Sequence, residues 1–245
     1  MIKRILIVGG AHGIGLSIAK VLARRDSTEK VYIVDKAPLE DVYQEPKIEA
    51  IRFDLTNEDY TIFDQFTDID GLMITAGFGR LALFEDIDEK MIPLYFNVNA
   101  VAVIRIIKHF YGRMLSKEDF HCGVMSSISG FMSSPFFSIY GATKAALKIF
   151  IESVNVELEK AGTSNRILNV SPGSIKGTSF NQGKTDLSLT EPLAQQIVEQ
   201  LERKNDLFIP QYEEVYKHVL ERYQKDFREE GRHSYEYKLK SGRIK

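Results

Sequence analysis

An α/β fold, with a doubly wound parallel sheet of about seven strands and helices on both faces, is what this sequence predicts, and three observations predict it. Short apolar runs rich in Ile and Val recur along the 245 residues, longer segments with helical spacing lie between most of them, and a glycine cluster closes the first run. Parallel strands are buried on both faces and so read as near-continuous apolar runs. They also need a crossover, usually a helix.

In chain order the strand runs are RILIV near residue 5, KVYIVD near 32, IEAIRFD near 50, IDGLMITA near 72, HCGVMSS near 124, NRILNVSP near 168 and DLFIP near 208. Ile14, Ile18, Val21 and Leu22 give a helical face after the first run, and Leu147, Phe150, Ile151, Val154 and Leu158 another after the fifth. From Gln211 onward the strands stop. Tyr212, Tyr216, Val219, Leu220, Tyr223 and Phe227 then fall at helical spacing. The expectation is one domain over residues 1–210 and a helical extension over 211–245, packed on that domain or on a second subunit. The extension ends in a charged, mostly basic stretch read as solvated. Neither a linker nor a repeat divides the chain.

Composition narrows the function. With 44% hydrophobic and 27% charged residues the chain can bury a sizeable core. No uninterrupted run reaches the ~20 apolar residues of a membrane span, and MIKRILIVGG does not read as a signal peptide. A cytoplasmic protein without an integral membrane span is expected. The single cysteine, Cys122, excludes an intramolecular disulfide and reads as a small buried residue. A formal net charge of -2 offers nucleic acid no general attraction. His109, His121, His218 and His233 lack ligand-like spacing, so no metal is expected.

The stretch LIVGGAHGIG places Gly9, Gly10, Gly13 and Gly15 where a strand (Ile5 to Val8) turns into a helix from about Gly13. A helix start at the first turn of such a sheet favours an anion, and glycine lets the backbone approach it. The spacing G-x-x-x-G-x-G suits a dinucleotide pyrophosphate, although glycine-rich turns also occur merely to make a bend. His12, inside the turn, either donates to a phosphate or stands in a solvated loop. Asp35 ends the second strand, where a carboxylate can accept from both ribose hydroxyls and would repel a 2′-phosphate. NAD is therefore favoured. Lys36 offsets part of the repulsion, which leaves NADP open. Asp54 ends the third strand, placed either to meet an adenine or to stand as a helix N-cap neighbour.

Tyr140 and Lys144 stand one helical turn apart and share a face. A phenol titrates near ~10, and a neighbouring ammonium lowers that value, so Tyr140 can serve as general acid or base on an alcohol or carbonyl oxygen. Ser127, at the end of the fifth strand, is placed to hydrogen-bond the same oxygen.

With these residues in hand the chain resembles the short-chain dehydrogenase/reductase family, whose fold is of the Rossmann type, over Ile2 to about Ser179. The family's glycine motif matches Gly9, Gly13 with Ile14, and Gly15; its acidic cofactor residue matches Asp35, and its adenine contact matches Asp54 with Leu55. The motif after the fourth strand reads Thr75-Ala76-Gly77, the helical asparagine is Asn99, the serine is Ser127, and Tyr-x-x-x-Lys is Tyr140 and Lys144. The resemblance implies that Lys144 binds the nicotinamide ribose and that Asn99 holds a water in a proton relay. It implies too that Pro172, Gly173 and Ile175 meet the carboxamide, with Thr178 one residue later than the usual threonine. Thr75 replaces the usual asparagine, which predicts a weakened structural hydrogen bond, and Val8 replaces a threonine. The ending lacks the turn of many tetrameric members, so a homodimer through the helices around Asn99 and Tyr140 is expected.

The activity expected is NAD(P)-dependent interconversion of a secondary alcohol and a carbonyl. Three segments, 78–94, 129–139 and 174–189, border the site and contribute Phe78, Phe131, Phe136, Phe137 and Phe180, a wall suited to an apolar small molecule. Arg80 or Lys184 could instead meet an acidic one. The alternative is a catalytically silent nucleotide-binding protein serving as redox sensor or scaffold. The survival of Asn99, Ser127, Tyr140 and Lys144 together favours turnover.

Overall fold

The computed structural model describes residues 1–178, 180 and 183–241. Ser179, Asn181 and Gln182 of the segment 174–189, and the last four residues of the basic end, lie outside the described residues. Among those described, seven strands form one all-parallel sheet: β1 (Arg4–Val8), β2 (Lys30–Asp35), β3 (Ile48–Arg52), β4 (Gly71–Ile74), β5 (His121–Met125), β6 (Ile167–Val170) and β7 (Leu207–Phe208). Their order is β3-β2-β1-β4-β5-β6-β7, paired from Ile5 opposite Val31 on one side of β1 to Ile5 opposite Gly71 on the other. The order reverses between β1 and β4, and in such sheets ligands bind beyond the carboxyl ends at that reversal.

Alternation along the strands splits the core into two layers. Ile5, Ile7 and Ile33 face α1 (Gly13–Ala23) and α5 (Leu187–Glu202), which contribute Leu16, Leu22, Leu193 and Ile197. Leu6, Val8 and Ile74 face the opposite layer, where α3 (Ala102–Leu115) supplies Val103 and Phe110 and α4 (Ser138–Lys160) supplies Leu147 and Leu158. Cys122 is buried in β5, and burial pushes its thiol up.

Two crossovers depart from the expected strand-helix alternation. Residues joining β2 to β3 and β3 to β4 form only short 3-10 turns, Asp41–Tyr43 and Thr61–Gln65. An aromatic cluster covers the sheet there instead: Phe63 and Phe66 are buried, with Tyr32 packed on Phe66 at 5.2 Å and Phe53 edge-on to Phe63 at 5.7 Å. Rings of that size fill the layer that a helix would otherwise fill.

The helical stretch Met91–Leu115 is long and apolar enough to cross a membrane by length and composition, although no uninterrupted apolar run of that length was expected. Val103, Ile106, Phe110 and Met114 bury its inner face in the core of the sheet. Within it lies a π-turn, Asn97–Val101, between α2 (Met91–Phe96) and α3. Beyond β7 come a second π-turn, Tyr212–Tyr216, and two helices, α6 (Lys217–Lys225) and α7 (Phe227–Lys240).

Candidate active site

The glycine turn is shaped by close backbone approach. Gly9 has φ +90°, its N–H donates to the Val34 carbonyl at 2.8 Å, and a Cβ there would strike the backbone of Ala76. A Cβ on Gly15 would strike the Gly9 carbonyl and the Thr75 hydroxyl, so α1 begins directly on the turn. The Thr75 hydroxyl donates to Val8 O at 3.2 Å and Gly9 O at 2.8 Å. A hydroxyl here reaches both carbonyls that hold the turn.

Gly13 differs from its neighbours in the turn. At φ +54° it adopts a left-handed backbone, and a Cβ there would only touch Thr178 in ordinary contact at 3.5 Å, so backbone conformation rather than crowding calls for glycine. His12 precedes α1 without a side-chain cap, while the Gly13 N–H donates to Thr185 Oγ1 at 3.2 Å. Thr178 itself donates to Ile175 O at 3.3 Å, and Ile14 and Ile175 pack partly buried against the core. A left-handed glycine at a helix start fits an approaching phosphate.

Asp35 accepts from the Ala11 N–H and the Ala37 N–H, both at 3.0 Å, which fixes its carboxylate beside the turn. Asp54 accepts from the Thr56 N–H and hydroxyl, each at 2.9 Å; the backbone bond is the main reason its pKa lies below the usual carboxylate range. The helix N-cap alternative for Asp54 does not hold, because no helix follows it before the 3-10 turn Thr61–Gln65 and these bonds brace its own loop. Leu55 packs against the core, and its carbonyl accepts from the Tyr60 hydroxyl at 2.8 Å.

Asn99, Ser127, Tyr140 and Lys144 are all buried. The π-turn turns Asn99 inward, and such turns concentrate at functional positions. Its carboxamide clasps the Phe78 backbone, accepting from the N–H at 2.9 Å and donating to the carbonyl at 2.8 Å. Ser127 follows β5 and starts a 3-10 turn by accepting from the Ser129 N–H at 3.1 Å. Burial pushes the Tyr140 phenol up to about 12, and the nearby Ser127 hydroxyl opposes this. Lys144, one turn on, donates to the Met125 carbonyl at 2.8 Å, and burial brings its ammonium down to about 8. A Cβ on Gly77 would lie 3.3 Å from Asn99 Oδ1 and 3.4 Å from Lys144 Nζ, so the chain beyond β4 also reaches this group. Burial sets the direction of the phenol, and Ser127 rather than Lys144 draws it back.

Of the five phenylalanines, Phe137 and Phe180 stand beside Tyr140, with ring centres 5.2 and 5.3 Å away. Phe78 packs on Tyr95 at 4.5 Å. Phe131 lies under the Lys148 ammonium, and Phe136, at φ +67°, stacks on Tyr235 at 4.6 Å. Composition alone missed three features. The backbone at Gly79 lies so close to Tyr140 that a Cβ would be 2.9 Å from its ring. Pro172 O accepts from the Ile128 N–H at 3.0 Å, joining that turn to Ser127. The Tyr216 hydroxyl fills the place a side chain at Gly173 would take. Among the described residues no three His, Cys, Asp or Glu side chains gather to hold a metal ion.

The comparisons agree with this geometry. The family model for short chain dehydrogenase matches residues 3–187. A cyclopentanol dehydrogenase of Comamonas sp. is 28% identical over 186 residues, covering 71% of this chain and 73% of its own. The bulky-bulky ketone specific alcohol dehydrogenase of Comamonas testosteroni superposes with a TM-score of 0.73 at 23% identity, over 91% of this chain and 92% of that one. A short chain dehydrogenase of Burkholderia cenocepacia, solved with NADP, gives 0.72 at 20% identity, over 90% and 96%. With a family model matched over most of its length and the same parallel sheet, the chain belongs to the short-chain dehydrogenase/reductase family.

Proposed function

We propose that this chain is a nicotinamide-dependent oxidoreductase that interconverts a secondary alcohol and a carbonyl, with Tyr140 as general acid and base. The observation that carries the reading is the buried group at the end of β5: Ser127, whose hydroxyl acts on the Tyr140 phenol, with Lys144 one helical turn on. The glycine turn at the start of α1 would hold the pyrophosphate; Asp35 would hold the adenosine ribose, and Lys144 the nicotinamide ribose. When bound, the nicotinamide supplies or accepts the hydride.

The protein's own groups handle the oxygen and its proton. Ser127 positions the carbonyl oxygen, and the Tyr140 hydroxyl donates a proton to that oxygen as it gains charge; alcohol oxidation runs the transfer in reverse. A neutral phenol, which burial enforces, suits the donating direction. Asn99 keeps the Phe78 backbone in place beside Lys144. Phe137, Phe180 and Gly79 surround the Tyr140 ring and keep water away from the transferred proton.

An apolar small-molecule substrate is supported by these rings and by the Comamonas relatives. Asp35 supports NAD, while the Burkholderia relative was solved with NADP, so titration with NADH and NADPH decides the preference. Exposed Val101, Ile149 and Val156 on the two long helices support a homodimer, which light scattering would test. A cytoplasmic setting agrees with this chemistry. The enzymatic test is NADH-driven reduction of a ketone panel: turnover supports the reading, and NADH binding without turnover of any carbonyl overturns it.

A further inference from the structure

We infer that Thr143, which lies between Tyr140 and Lys144 on α4, is a positioning residue: its hydroxyl fixes the plane of the Asn99 carboxamide, so that the Asn99 oxygen and the Lys144 ammonium border one space beside Gly77. The inference rests on the oxidoreductase reading of the site and adds a residue that the reading does not use.

The assignment follows from where each hydrogen goes. Thr143 is fully buried in α4, and its hydroxyl donates to the Tyr140 carbonyl at 2.7 Å. A carbonyl only accepts and a hydroxyl carries a single hydrogen, so only lone pairs are left for any other partner. That partner is Asn99, 3.3 Å away, and Asn99 Nδ2 must therefore be the donor. Nδ2 gives its other hydrogen to the Phe78 carbonyl at 2.8 Å, while Oδ1 accepts from the Phe78 N–H at 2.9 Å. Both donors of the carboxamide are used. What remains to it is a lone pair on Oδ1.

That oxygen has a defined neighbour. A Cβ on Gly77 would lie 3.3 Å from Asn99 Oδ1 and 3.4 Å from Lys144 Nζ, so both atoms line the same small space. An acceptor on that space favours a buried cation there, whereas a carboxamide turned the other way would set N–H groups against it.

Two bonds to the Phe78 backbone leave the carboxamide able to swing about the line that joins them. The bond to Thr143 comes from another element and removes that freedom. It also ties the π-turn that carries Asn99 to the turn of α4 that carries Tyr140 and Lys144, since one hydroxyl bonds both. Shape does not explain the residue, because valine has nearly the same outline, and a β-branched side chain gains nothing in a helix. The hydroxyl is what sets threonine apart.

The test compares wild type, Thr143→Val and Thr143→Ser by two readouts. One is kcat and KM for NADH-driven reduction of cyclopentanone, or of the fastest ketone of the panel if the wild type leaves cyclopentanone unreduced. The other is deuterium exchange of the Asn99 carboxamide protons by NMR, their signals assigned by their loss in Asn99→Asp. In the valine variant kcat should fall by about 10- to 100-fold, the loss a misplaced catalytic group produces, with KM and NADH affinity within about twofold, and serine should recover kcat to within about threefold. The Asn99 protons should be protected in wild type and the serine variant, and exchange about tenfold faster or more in the valine variant. Thr143→Ala stands in if the valine variant does not fold. An unmoved kcat, a loss that serine fails to recover, a change carried by KM or NADH affinity instead, or Asn99 protons that exchange freely already in the wild type overturns the assignment. Wild type that reduces no ketone of the panel sinks the oxidoreductase reading, while the exchange rates still decide whether Thr143 holds Asn99.

Discussion

Lys144 Nζ donates to the Met125 carbonyl at 2.8 Å and stands 5.6 Å from the centre of the Tyr140 ring, so its charge is held by a strand end rather than by the phenol. Holding that charge in a fully buried place destabilises the fold. The folded value is about 8 against the ordinary 10.5 of a lysine, so the unfolded chain binds the proton more tightly. Folding therefore loses stability at pH 7, by about 3 kcal/mol, and recovers it as pH rises from about 8 to about 10.

Lys144→Met is accordingly expected to stabilise the protein at pH 7 while abolishing turnover. Leaving the Met125 carbonyl unpaired returns about 1 kcal/mol of the gain, so a rise of roughly 4–8 °C in Tm is expected. The rise should shrink near pH 10. Thermal scans at both pH values check it, and a lower Tm at pH 7 would refute it.

Ser127→Ala removes the one interaction that draws the Tyr140 phenol back down. Turnover should fall by about 10²–10³-fold, the usual loss of a positioned donor at a reacting oxygen. The alkaline rise of alcohol oxidation should also move to higher pH, because the phenol of the variant gives up its proton less readily. NADH binding should persist. A pH–rate profile that keeps its position would contradict the role assigned to Ser127.

The glycines separate packing from ligand approach. Gly9→Ala combines a left-handed backbone with a clash against Ala76, and should destabilise by about 3 kcal/mol or more. Gly13→Ala meets no close neighbour and should cost only about 1 kcal/mol of backbone strain while weakening NADH binding. Urea denaturation and NADH fluorescence would together separate the two effects. Equal stability losses would contradict the distinction.

Asp35→Ala should shift preference toward NADPH by about tenfold, since a carboxylate no longer faces the added phosphate. It should also cost about 1–3 kcal/mol, because the buried Ala11 N–H loses its partner. Parallel titrations with NADH and NADPH read the first effect; a retained NADH preference would remove Asp35 as the selector.

The sheet was legible because buried strands and amphipathic helices repeat with their own periods, and Ile5, Ile7, Leu6 and Val8 do sort to opposite layers. Tyr140 and Lys144 were legible for a similar local reason: one helical turn puts them on one face. The aromatic cover around Phe63 was not, because rings spaced irregularly in a loop carry no period. Nor was the contact of Tyr216 with Gly173, which joins two turns far apart in the chain; the helical spacing of the tail fixed a helix without fixing what it touches. Nor was the packing of Phe136, a candidate of the segment 129–139, on Tyr235 at 4.6 Å, since that ring comes from the far end of the chain.

Tyr140→Phe tests the central claim most directly, because it removes one hydroxyl and leaves the buried ring between Phe137 and Phe180 in place. NADH-driven ketone reduction should fall by about 10³-fold or more while NADH affinity stays at the wild-type value. Undiminished turnover in that variant would contradict the account.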